Sequence, residues 1–154
     1  MINRQLEICL VASALIMLTG CSKPVTDYQG RRLPAVGQPA TLIEKHGWLA
    51  ASESSLAELM TPPQIDLMAV PPDRAGQALD AALEQNASRL KHEGKLIQVS
   101  SGSKVRILGY YNGDVHKIRP VAPQDQNAML VKVEILEGEA SGKTGFSTAD
   151  GVAE

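Results

Sequence analysis

Aromatic side chains are scarce: one Trp, three Tyr and one Phe make up 3% of 154 residues. These five, Tyr28, Trp48, Tyr110, Tyr111 and Phe146, are too few to tile a broad binding platform. Cysteine is nearly absent as well. Two residues, Cys9 and Cys21, cannot support a disulfide scaffold. There is no basic excess, with 15 Lys+Arg against 17 Asp+Glu and a formal net charge of -2. That balance argues against nucleic acid as a partner, since phosphate backbones are met by clustered positive charge. The chain also lacks an apolar run of the roughly 18 residues that a membrane span needs. What remains is a 44% hydrophobic chain, long enough for one ordinary domain or a small domain with appendages.

The apolar run that is present extends from Ile8 to Leu18, the length of a signal-peptide core. It ends in Leu18-Thr19-Gly20-Cys21, where small residues fit a narrow peptidase cleft and the cysteine is the one side chain able to form a thioether. This stretch resembles the lipobox of bacterial lipoproteins. The resemblance implies cleavage between Gly20 and Cys21 and a diacylglyceryl group with fatty (palmitate-type) chains on Cys21. Glu7 departs from the pattern, leaving Arg4 and the terminal amine as the positive charges before the run. The alternative is a cleaved secretory signal with an incidental cysteine. Under the lipoprotein reading, 134 of the 154 residues remain and no thiol is left for catalysis, metal or disulfide. Several acyl chains on one residue hold a protein firmly to a bilayer. In the family the residue after the cysteine influences sorting. Ser22 is not aspartate, which implies the outer membrane, facing the periplasm.

From residue 21 to 40 the prolines and glycines (Pro24, Gly30, Pro34, Gly37, Pro39) predict a flexible tether, reaching on the order of 25 Å. Arg31-Arg32 within it suits anionic headgroups or plain solvent. Residues 41–93 are expected to be a helical segment that packs on the strand-rich residues 94–154. Ser55-Leu56-Ala57-Glu58 has capping-box spacing, predicting a short helix at Leu56–Met60 that Pro62-Pro63 stops. Asp73–His92 carries an apolar stripe through Leu79, Leu83, Ala87 and Leu90, with Asp73 as its N-cap and Gly94 beyond its end. Trp48 is expected to pack this region onto the rest, with ligand stacking as the other reading.

Beyond Gly94 the period becomes two. Strands are predicted at Lys95–Val99, Lys104–Tyr110, Met129–Leu136 and through Thr144 and Phe146, with a hairpin turn at Asn112-Gly113. Ser101-Gly102-Ser103-Lys104-Val105-Arg106-Ile107-Leu108, then Val131-Lys132-Val133-Glu134-Ile135, then Gly142-Lys143-Thr144-Gly145-Phe146 resemble the bacterial SH3-like domain. The expected fold class is therefore α+β: a small antiparallel SH3-like β-barrel over residues 94–154, preceded by one or two helices and a lipidated tether. The resemblance implies a binding module for cell-wall material such as peptidoglycan, or for an envelope protein, with no catalytic residue carried over. Phe146 would plug the barrel or line its surface. Adjacent strand residues face opposite ways, so Tyr110 and Tyr111 diverge, and Tyr111 with Phe146 are the candidate binding residues.

No nucleophile motif, phosphate loop or metal-ligand cluster occurs, so no cofactor is expected and the chain is read as non-catalytic. His46, His92 and His116 are scattered, and Asp114 with His116 would supply only two ligands. Asp80 and Glu84, one helical turn apart, imitate a carboxylate dyad but belong to the polar face. The expected function is a membrane-anchored envelope lipoprotein that binds a wall or protein partner. Alternatives are a regulator or inhibitor of an envelope enzyme acting through Ile118–Asn127, and an unrecognised hydrolase using Asp80 and Glu84.

Overall fold

The computed structural model describes residues 23–43, 47–61, 67–114, 117–122 and 125–154. Gly20 and Cys21, the Pro62-Pro63 stop, His46, His116 and Pro123 lie outside the described residues. Among the described residues, eight strands form one sheet and two α-helices cover part of it, a mixed α+β architecture. In chain order the strands are β1 (Pro39–Leu42), β2 (Trp48–Ala50), β3 (Leu96–Gln98), β4 (Lys104–Asp114), β5 (Lys117–Pro120), β6 (Leu130–Ile135), β7 (Thr144–Thr148) and β8 (Val152–Ala153). The sheet is open and antiparallel, ordered β3-β2-β7-β6-β4-β1-β8, with β5 on the remaining length of β4.

Residue period two sets the two faces of β6. Val131, Val133 and Ile135 are buried on one side, while Leu130, Lys132 and Glu134 alternate with them. Val105, Ile107 and Tyr110 of β4 stand opposite Ile135, Val133 and Val131, and these side chains form the inner core. A register shift between Ile107 and Gly109 leaves Leu108 38% exposed and keeps Tyr110 inward after the extra residue. Tyr111, opposite Leu130, consequently faces outward, as the alternation predicts.

The outer face carries a second core of Leu56, Leu90, Leu96, Leu130 and Phe146, capped by the helices. Helix α1 (Glu53–Met60) begins a turn earlier than its sequence pattern suggests. Its cap is Ser52, whose Oγ accepts the Ser55 N–H at 3.1 Å, and not Ser55. Glu58 is thereby free to turn away from the cap to Lys95. Helix α2 spans Ala75–His92. Pro72–Arg74 forms a 3-10 turn closed by the Arg74 N–H on the Pro71 carbonyl, so Asp73 lies inside that turn and does not cap the helix. Only the last half of the stripe is well packed: Leu90 is buried, whereas Leu79 and Leu83 are each 38% exposed.

Three further expectations are corrected. Asn112-Gly113 is not the hairpin turn. It lies within β4, where Asn112 opposes Arg119 and Asp114 opposes Lys117. The Asn112 side chain is held by the Asn127 carbonyl and the Met129 N–H, and a Cβ on Gly113 would meet the Lys117 carbonyl at 2.7 Å. Residues 41–93 are not helical throughout either, since they share β1, which pairs with β4 and β8, and contain β2, which pairs with β3 and β7. The predicted tether is largely folded. From Val25 onward the chain is packed against the fold ahead of β1, with Leu33 3% exposed and the Leu33 N–H on the Val25 carbonyl. Thr26 bridges Arg32 and Asn127, and the Pro34 carbonyl accepts the Tyr110 hydroxyl at 2.6 Å.

Candidate functional site

The two aromatic candidates do meet, but as packing. Phe146 is opposite Lys132, on the outer face, so it neither plugs the inner core nor presents its ring to solvent at 4% exposure. The ring of Tyr111 approaches Phe146 edge-on at 5.9 Å, and Lys132 Nζ lies 5.4 Å from the Phe146 centroid. Gly145 beside it permits the close contact of β7 with β2: a Cβ there would stand 2.8 Å from Leu49 Cβ.

Concave surface appears one step away. A groove of about 600 Å³ opens over Phe146, between α1 (Leu56, Met60) on one side and the Tyr28–Arg31 turn on the other. Its size falls within the usual range of ligand sites. The rim includes exposed apolar groups, Tyr28 at 64%, Met60 at 44% and Ile43 at 38%. Polar groups border the opposite wall, where the Tyr28 hydroxyl lies 3.2 Å from Asp150 Oδ2.

A buried carboxylate shapes that wall. The Asp27 side chain is 0% exposed and accepts the Gln29 N–H, the Arg31 N–H and the Arg31 Nε–H at 2.9, 2.8 and 3.0 Å. Burial raises the affinity of this carboxyl for its proton. The Arg31 N–H, the Arg31 guanidinium and the Gln29 N–H outweigh burial and hold its pKa below the ordinary 3.8. Arg31 Nη2 also donates to the Asp150 and Val152 carbonyls, at 2.8 and 3.2 Å. Arg31 is thus committed to structure, whereas its neighbour Arg32 is exposed.

A second groove, of about 630 Å³, lies along α2 and shares Trp48 and Leu59 with the first. Asp80 and Glu84 border it, both exposed. Trp48 is half-buried in the outer core, which fits its packing role, and it divides the two grooves. A charged cluster joins the helices to β3 nearby. Lys95 Nζ is 2.8 Å from carboxylate oxygens of both Glu58 and Glu93, and Arg89 is 2.7 Å from Glu93. Hydrogen bonds from Lys95 and Arg89 lower the Glu93 pKa, and those to Glu58 and Glu93 raise that of Lys95. Among the described residues no three His, Cys, Asp or Glu side chains gather as metal ligands, and no helix is long and apolar enough to cross a membrane.

Tyr28, Ile43, Met60 and Asp150 carry no sequence motif of their own. The available signal was the Asp27-x-x-x-Arg31 spacing around an aromatic inside a Pro/Gly-rich stretch, which marks an ordered turn more than a tether. Of the segment Ile118–Asn127 expected to project, several described residues are held to the fold. Ile118 packs on the outer core, Val121 on the inner core, and Asn127 pairs with Thr26. Comparison with protein-family models, curated proteins and solved structures finds no match to this chain.

Proposed function

We propose that this chain is a lipid-anchored, non-catalytic binding protein of a bacterial cell envelope, acylated on Cys21. The observation that carries the reading is Leu18-Thr19-Gly20-Cys21 closing an eleven-residue apolar run. Its sheet is read as an open variant of the SH3-like barrel. The antiparallel succession of β4, β6 and β7, with the close approach of β2 to Gly145, supports that reading. The partner, a wall component or an envelope protein, is assigned to the groove between Tyr28 and Met60, whose apolar rim is left in water.

Anchoring is tested by fractionating cells that express the Cys21→Ser chain, which should leave the membrane fraction. Retention equal to the wild type overturns it. The groove is tested with a photocrosslinking residue at Met60 in living cells. A discrete adduct that Tyr28→Ala removes is expected, and no adduct overturns the assignment.

A further inference from the structure

The folded region begins so soon after Cys21 that the anchor decides which way the domain faces. Thr26 is fixed through its N–H on the Gln126 carbonyl at 2.7 Å and its hydroxyl on Asn127 Oδ1 at 2.7 Å. Five residue steps separate Cys21 from Thr26, about 18 Å even when fully extended. The surface around Thr26 therefore stands close to whatever holds Cys21.

That surface is basic. Arg32 bridges Thr26, and Asn127 joins Thr26 to Asn112, which is paired with Arg119. Lys117 lies two residues from Arg119 on β5 and so shares its strand face. Lys23, Arg32, Lys117 and Arg119 are all exposed, and none forms an ion pair with a described residue. Asp125 is an exposed acid on the same edge, Asp114 stands opposite Lys117 in the pairing of β4 with β5, and the Asp27 charge is taken up by Arg31. A chain of net charge -2 thus places an excess of exposed cations near where its lipid would be. Such clusters are drawn to anionic headgroups within a Debye length of the surface.

We infer that the face carrying Lys23, Arg32, Lys117 and Arg119 lies against an anionic bilayer beside the acyl anchor, turning the Glu137–Gly142 turn away from it. The inference rests on the proposed acylation of Cys21. The turn is at the opposite end of β6, whose six residues span roughly 20 Å.

The test uses the acylated chain, purified from membranes and reconstituted into phosphatidylcholine vesicles with or without phosphatidylglycerol. A fluorescent probe is placed at Gln126→Cys or at Ser141→Cys, and headgroup-labelled lipid serves as quencher. Quenching at 126 should exceed that at 141 several-fold with phosphatidylglycerol, and the excess should shrink without it or at high salt. Reversing Arg32→Glu and Arg119→Glu together should cut the excess to the level that the short tether alone gives in vesicles without phosphatidylglycerol, while leaving the melting temperature unchanged. Equal quenching at the two sites, or an excess that charge reversal does not reduce, overturns this orientation and leaves the anchor intact. A chain without acyl mass on Cys21 overturns the anchor and the orientation together.

Discussion

The Arg31 guanidinium lies 3.0 Å from the wholly buried Asp27 carboxylate and also reaches the Val152 carbonyl at 3.2 Å. One side chain therefore pins the first turn of the fold to its last strand. Arg31→Ala strands a buried charge and frees both segments, so it should lower the melting temperature by many times the effect of Arg32→Ala. The latter change, at an exposed neighbour, should stay within about 0.5 kcal/mol. Thermal melts of the two variants check this contrast.

Acid should unfold the protein through the same turn. Asp27 and Glu93 both hold pKa values below their ordinary 3.8 and 4.5. A lowered folded-state value contributes stability above the unfolded pKa, and that stability drains as pH falls through the folded one. Urea midpoints should therefore drop as pH is taken below about 4.5, with a shallower slope in Asp27→Asn and Glu93→Gln.

Tyr110 is inward and its hydroxyl serves the buried Pro34 carbonyl, while burial raises its own pKa. Tyr110→Phe should leave that carbonyl without a partner and cost about 1–3 kcal/mol in denaturant unfolding. Tyr111→Phe keeps the ring contact with Phe146 and should stay within about 0.5 kcal/mol.

Two glycine substitutions should act in opposite directions. Gly145→Ala drives a methyl against Leu49 Cβ at 2.8 Å and the Ala50 carbonyl at 3.1 Å, and should destabilise by about 1–3 kcal/mol. Gly76 is exposed near the start of α2 with nothing within 4 Å of a new Cβ, so Gly76→Ala should stabilise by about 0.4–1 kcal/mol. Paired denaturant titrations read both signs.

Local periodicity made much of the second half legible. Val131, Val133 and Ile135 alternate inward as their spacing predicts, and α2 ends at His92 before a left-handed Gly94. The short-range signals erred where two signals competed. The capping-box spacing pointed to Ser55 while Ser52, three residues earlier, takes the cap, and Asn112-Gly113 mimicked a turn while its amide was held by Asn127 and Met129.

The site was harder to read because its walls come from distant parts of the chain. Tyr28, Met60, Phe146 and Asp150 share no local spacing, and only the sheet order brings them to one groove. The amino-acid order by itself determined the α2 stripe and the alternation of β6, because each depends on neighbours within a few turns or one strand. Tertiary structure alone decided that residues 25–42 fold onto the sheet, with Pro39–Leu42 as a strand of it, that Phe146 faces the helices, and that Arg31 is ion-paired with Asp27. Those outcomes depend on partners far along the chain, such as Asp150 and Val152 for Arg31, which no local pattern encodes.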